Sequence, residues 1–138
     1  MNTRLKQILI ALSVILIISG AILLGWFLKT QSITNQDKQV REKIVEITEN
    51  IRSNKSAEAY SMFSEEYKST VNEDEFSKFS KEVSTINGNI GAVALFFDSE
   101  ENKYIANVPI FEGDQTKAVL IYTVDTSSDK TDITSVSR

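Results

Sequence analysis

Three hydrophobic rhythms follow one another along the chain. The first is QILIALSVILIISGAILLGWFL, residues 7–28, which contains no charged side chain. At about 1.5 Å of rise per residue such a run makes a helix of about 33 Å, close to the ~30 Å hydrocarbon core of a bilayer. A secretory signal has a shorter apolar region, of about 7–15 residues, ended by a small-x-small cleavage site. Ser19-Gly20-Ala21 resembles such a site, but cutting there leaves Ile22 to Leu28 as an apolar new terminus. A buried core helix shows a polar side, and this run has none. Trp26 and then Lys29 fall where a membrane–water boundary would lie, an aromatic at headgroup depth with a cation beyond it. The pattern predicts a retained transmembrane helix over 7–28, with Trp26 and Lys29 at the interface.

The second rhythm is helical. Residues 29–35 read as a short polar linker, and Thr34-x-x-Asp37 is suited to cap a helix beginning there. Val40, Ile44, Ile47 and Ile51 then recur at spacings of four, three and four, one stripe of an amphipathic helix running to about Arg52. It also reads as a heptad seam, but one too short for a coiled coil, so a core-facing helix is expected. Ser53-Asn54-Lys55-Ser56 breaks the pattern; its sequon is read as a capping turn. A second helix is expected over 57–68, with Ala59, Tyr60, Phe63 and Tyr67 on one side. VNEDEF comes next: Asn72 caps, Glu75 reaches back to it, and Val71 and Phe76 are placed as a hydrophobic staple. Its three carboxylates suit the first turn of a helix, where the dipole favours negative charge, and that explains them better than a metal does. The third helix turns Phe76, Phe79 and Val83 inward and stops at Asn87-Gly88.

After Gly88 the period shortens to that of extended chain. Residues 90–97, 104–111 and 117–124 are apolar runs of strand length, and a weaker one spans 131–137. The breaks between them are too short for crossover helices, so the strands are expected to be antiparallel neighbours. Pro109 cannot donate to a ladder, which places its strand at an edge or at a bulge. The whole reads as an α+β protein: an N-terminal transmembrane helix, then three helices packed on a curled antiparallel sheet of about four strands.

The run AYSMFSEEYKSTVNEDEFSKF followed by that meander resembles the nuclear transport factor 2-like (cystatin-like) α+β rolls, in particular small membrane-anchored bacterial ones. The resemblance covers residues 36–138 and is one of element order. It implies helices wrapped over a curled sheet. Enzymes, ligand binders and secretion scaffolds share that roll, so it implies no single activity.

Charge adds direction. Arg4, Lys6 and the amino terminus crowd the short flank before the apolar run, whereas only Lys29 stands close behind it. The positive-inside rule then keeps residues 1–6 in the cytoplasm and sends the domain at 36–138 outside. Residues 30–138 hold 12 of the 15 basic and all 19 acidic side chains, a net charge of −7. Nucleic acid and an anionic lipid surface are both repelled by such a domain. There is no cysteine, so no disulfide supports the core and no lipidated cysteine follows the apolar run. This composition points to a bacterial envelope protein.

The lack of histidine and cysteine also removes the usual neutral-pH base, the thiol nucleophile and the common zinc ligands. Asp98-x-Glu100-x-Asn102 and Asp125-x-Ser127-x-Asp129 imitate calcium-loop spacing, but Lys103 and Lys130 stand where glycine is needed. Pro109 and Val136 stand where the bidentate glutamate belongs. Both are read as hairpin turns; no metal, cofactor or catalytic residue is assigned. Tyr60, Tyr67, Tyr104 and Tyr122 fall on inward positions, where they either fill the core or line a cone.

The strands themselves suggest the function. In 90–97, Ile90, Ala92, Ala94 and Phe96 alternate with Val93, Leu95 and Phe97. In 117–124, Ala118, Leu120, Tyr122 and Val124 alternate with Val119 and Ile121. Both faces are apolar, and the helices cover only one. Val93, Leu95, Val119 and Ile121 form one candidate interaction set, and Ala92, Ala94, Leu120 and Tyr122 the other. The expected function is non-enzymatic: a single-pass membrane protein, held in lipid by its anchor, whose outer domain self-associates or docks on a protein partner. Anchored scaffold subunits of secretion and conjugation machines work in this way. The alternative is a roll that binds a small ligand or converts one with carboxylates. A pilin lacks support, because the N-terminus has neither the processing glycine nor the acidic residue of a pilin helix.

Overall fold

The computed structural model describes the backbone of residues 3–127 and 130–138, with side chains for 19–26, 28, 35–127 and 130–138. Two compact units emerge, Met1–Gln36 and Asp37–Arg138. The first helix, α1 (Thr3–Arg52), contributes to both. Helix runs through residues 29–35, where the sequence suggests a linker. No glycine or proline falls there to stop it, so Thr34 caps nothing. Among the described residues no helix is long and apolar enough to cross a membrane. The expected span at 7–28 lies in large part outside them, since the side chains of 7–18 and 27 are not described.

In the second unit, α1 is followed by α2 (Ser56–Ser61), α3 (Glu65–Thr70) and α4 (Glu73–Ser84). The single helix expected over 57–68 is therefore two, and the reason is local. Ser64 takes extended dihedrals and its hydroxyl accepts from Tyr67 N, a cap that starts a new helix. Just before it, Phe63 forms a parallel bridge to Ile133, and Ser64 N donates to Ile133 O at 2.9 Å. Periodicity cannot anticipate a backbone segment diverted to a strand so distant in the chain. The cap of α4 is the one the sequence specifies: Asn72 Oδ1 accepts from Glu75 N at 2.9 Å, and Asn72 N donates to Glu75 Oε2 at 3.1 Å.

The sheet is antiparallel and contains β1 (Asn89–Ile90), β2 (Ala94–Asp98), β3 (Lys103–Glu112), β4 (Gln115–Asp125) and β5 (Asp132–Ser137). β1 and β2 share one side of β3, and β4 and β5 follow on the other. The apolar run 90–97 is thus one interrupted strand: Ile90 pairs with Ile110, but Ala94 pairs with Asn107, so one extra residue is accommodated at 91–93. Pro109 faces that interruption. Its strand is interior, contrary to the edge expectation, and the discontinuity lies in the neighbouring strand instead. Gly91 N donates to Pro109 O at 2.8 Å. The N and O of one residue point to the same neighbour in an antiparallel ladder, so the missing N–H also faces the break. A Cβ on Gly91 would come within 2.4 Å of the Phe111 ring and 3.0 Å of Pro109 Cγ, which is why this position carries no side chain.

Helices cover one face of this sheet. Val40, Ile44, Ile47 and Ile51 are completely buried, together with Phe76 and Val83 of α4 and Tyr104, Ala106, Val108, Ile110, Leu120, Tyr122 and Val124 of the sheet. Polar contacts fix the part of α1 within this unit against the strands. Asp37 accepts from the Tyr104 hydroxyl, Arg41 donates to Val93 O and Lys43 to Thr131 O. Near the end of α1, Arg52 grips the α4–β1 connection, donating to Ile86 O at 2.8 Å and Gly88 O at 2.6 Å.

Candidate interaction surface

The space between helices and sheet is where a roll of this kind would hold a ligand, and here side chains fill it. Phe63 stacks on Tyr67 at 4.2 Å, and Phe76 meets the edges of both, at 5.2 and 6.3 Å. Tyr122 is fully buried and its hydroxyl lies 2.9 Å from Thr48 Oγ1. Thr48 donates its one proton to Ile44 O at 2.7 Å, so the tyrosine must be the donor in the pair. Tyr60 donates to Val71 O at 2.8 Å and Tyr104 to Asp37. Burial pushes the Tyr67 hydroxyl up to about 12 and raises Tyr104 and Tyr122 well above the ordinary tyrosine range. Raised in this way, Tyr67, Tyr104 and Tyr122 stay neutral and serve the core; none of the three is poised to release a proton near neutral pH.

A cleft of 580 Å³ does exist, open to solvent, beside α2 and α3 and the β4–β5 end of the sheet. Lys43, Ser64, Glu65, Lys68, Asp125 and Asp132 lie along it. Glu65 is 2.9 Å from Lys68 Nζ. Hydrogen bonds from Ser127 hold the Asp125 carboxyl below the usual carboxylate range, with Ser127 N at 2.7 Å, the reverse of what a general acid needs. Among the described residues no group of three or more acidic, histidine or cysteine side chains is placed to hold a metal. In the β2–β3 hairpin at the same end of the sheet, Asp98 Oδ1 accepts from Glu100 N at 2.9 Å and Glu101 N at 3.3 Å, the work of a turn.

Among the described residues of this unit, no helix covers the other face of the sheet. Pairing aligns Ala94 with Asn107, Asn107 with Ile121, Phe96 with Ile105, and Pro109 with Val119. Phe96 is 57% exposed, Ile105 43% and Ile121 40%, while their inward neighbours Ala106, Leu120 and Tyr122 are at 0%. An apolar stripe therefore crosses β2, β3 and β4. In its middle, Asn107 Oδ1 is buried without a hydrogen-bond partner among the described residues.

Each candidate set from the sequence divides between the faces. Val119 and Ile121 belong to the uncovered face, whereas Val93 is buried and Leu95 lies opposite Ala106 on the helix side. In the second set, Ala94 faces outward, with Ala92 exposed in the break between β1 and β2, while Leu120 and Tyr122 are core. The extra residue at 91–93 is responsible: it puts Ile90 on the helix side and Ala94 on the other, although their spacing is even. Phe96, Ile105, Asn107 and Pro109 complete the surface, and neither sequence set contains them. Gly91 inside a strand-like run is the signal that would have found the reversal. Compared with protein-family models, with curated proteins and with solved structures, the chain matches none.

Proposed function

We propose that this protein is a non-enzymatic, single-pass membrane protein whose extracytoplasmic domain works by self-association or docking within an envelope assembly. The observation that carries this reading is the uncovered stripe of Phe96, Ile105 and Ile121 on a sheet whose other face is closed by helices. A contiguous exposed apolar patch is costly in water and marks an interaction surface. The anchor is supported by the described part of the apolar run: Ile22, Leu23, Leu24, Trp26 and Leu28 are 58–74% exposed, and lipid is the medium that suits them. The order of helices and meander supports the membrane-anchored roll resemblance, with the cytoplasmic N-terminus following from the charge asymmetry.

Two experiments test this. Protease added to intact spheroplasts should remove a C-terminal tag from an uncleaved, membrane-bound chain; a protected tag refutes the topology. Ile121→Lys should disperse any association while leaving the circular dichroism native, whereas Leu120→Lys should unfold the domain. If Ile121→Lys changes neither self-association nor capture of a partner, the docking reading fails. The open cleft beside Lys43 and Asp132 then becomes the better candidate, as a small-ligand site.

A further inference from the structure

The two sides of the sheet end differently. Beyond β5, the backbone of Phe63 and Ser64 closes the edge at Ile133. Among the described residues nothing of the kind occurs beyond β2. Gly91 N reaches Pro109 O, so odd-numbered residues of β3 turn their N–H and C=O groups toward β2. Asn107 and Ile105 then exchange backbone bonds with Ala94 and Phe96, their partners in register. Leu95 and Phe97 therefore point their N–H and C=O groups away from the sheet. Before them, in the break, Val93 C=O is taken by Arg41. Among the described residues no group takes up the outward N–H or C=O of Leu95 or Phe97. β2 is only weakly protected as an edge, by Asp98 at its end and by the irregularity at 91–93 that precedes it. It is Ala-Leu-Phe-Phe-Asp, with Phe96 57% and Phe97 44% exposed, and has no proline or lysine.

We infer that β2 is the seam through which two copies of this chain join, antiparallel and two-fold symmetric, into one continuous sheet. This deepens the docking reading by naming a second copy as the partner. The register follows from the edge itself. Leu95 of each copy pairs with Phe97 of the other, giving four backbone hydrogen bonds and setting Phe96 against its symmetry mate on the uncovered face. Slipping one way requires Val93 C=O, which Arg41 occupies. Slipping the other way requires Ser99, which lies in the turn closed by Asp98. Charge agrees with the same register. The turn carrying Glu100 comes alongside residues 91–93 of the other copy, where Arg41 is held, and Glu100 has no ion pair among the described residues. Asp98 falls opposite Ala94, so no like charges meet on the strand. The Phe96 pair is of the non-hydrogen-bonded type, in which Cα atoms approach to about 4.5 Å and side chains are closest. The two apolar stripes then become one surface.

The absence of native cysteine makes this testable by disulfide trapping in the full chain in its own membrane. Phe96→Cys should give a disulfide dimer under mild oxidation as the predominant species, because the pair spacing suits a disulfide. Asp114→Cys, in the β3–β4 turn, should not. Ala94→Cys and Asp98→Cys should each stay monomeric alone and cross-link when co-expressed. Phe97→Pro removes an outward N–H, which an edge strand tolerates, together with the ring that lies 4.7 Å from Tyr104; it should abolish dimer trapping through an Ala94→Cys/Asp98→Cys pair while leaving the circular dichroism native, and Phe97→Ala, which loses the same ring but keeps the N–H, should still trap. If trapping at position 96 is no better than at 114, or if Phe97→Pro folds and still traps, the seam is refuted. A chain that traps instead at Val119→Cys or Ile121→Cys keeps the docking reading and refutes the β2 seam, because that pattern means face-to-face stacking.

Discussion

Replacing Thr48 by Val and Tyr122 by Phe should reveal the direction of a single buried hydrogen bond. Both residues are fully buried, 2.9 Å apart through their hydroxyls, and Thr48 spends its proton on Ile44 O. Tyr122→Phe removes a donor and leaves Thr48 still bonded, so it should cost about 1 kcal/mol, the net worth of an ordinary hydrogen bond. Thr48→Val has nearly the same shape and helix propensity, but it strands the Tyr122 O–H in the core. An unmet buried donor adds a desolvation penalty, for a loss of about 2–3 kcal/mol. The double variant lacks both the bond and the stranded donor, so its loss should fall short of the sum of the two singles by about 1 kcal/mol. In a domain of this size 1 kcal/mol moves Tm by about 4–8 °C, large enough to order the variants by thermal unfolding. A fragment beginning at Thr34 suits the measurement, because Asp37–Arg138 is compact in its own right. Equal losses from the two single variants, or strict additivity, refute the assignment of Tyr122 as donor.

Other outcomes are expected of the same structure. Asn72→Ala should cost about 1 kcal/mol in urea unfolding, since it removes the side-chain half of the α4 capping box. Gly91→Ala should cost about 1–3 kcal/mol through its clash with Phe111 and Pro109, and Phe111→Ala in the same chain should recover part of that loss. Alkaline pH should unfold the domain. Tyr67 is raised in the folded state from 10.0 to about 12, so its contribution is complete below pH 10 and falls away as pH rises toward 12. Tyrosinate absorbance and circular dichroism should change together in that window, and Tyr67→Phe should flatten the early part of the loss. Chelator should leave Tm unchanged, with the Asp98 and Asp125 carboxylates engaged in their own turns.

Local chemistry was legible in the sequence, and relations between distant segments were not. The Val40–Ile51 stripe and the Asn72/Glu75 box depend on neighbours three or four positions away, and the structure places them as read. Antiparallel order followed from turn length. The helix break at Phe63–Ser64 depends on Ile133, and nothing local announces it beyond a capping serine. The division of the interaction sets has a similar origin. Alternation assigns faces within one unbroken strand, but the relation between Leu95 and Val119 passes through β3, and one extra residue beside Gly91 reverses it. Phe96 escaped because its two faces looked alike in the sequence and only pairing with Ile105 separates them.

The closure of β5 against the helices has a consequence for how the domain comes into being. Lys43 bonds to Thr131 across 88 positions, and Ser64 reaches Ile133 over a similarly long stretch of chain. Residues 37–84 leave the ribosome long before the strand that locks them. Until 131–137 exist, Tyr122 and Val124 lack their neighbours Val136 and Ile133, and the helices lack the strand that completes their core. Contacts of such long sequence separation close late, because loop entropy opposes them until most of the chain is in place. Closure of the helices on β5 is accordingly expected to be a late step of folding, one that needs residues 131–137. A chain shortened before Thr131 should therefore leave the helices without the strand that completes their core.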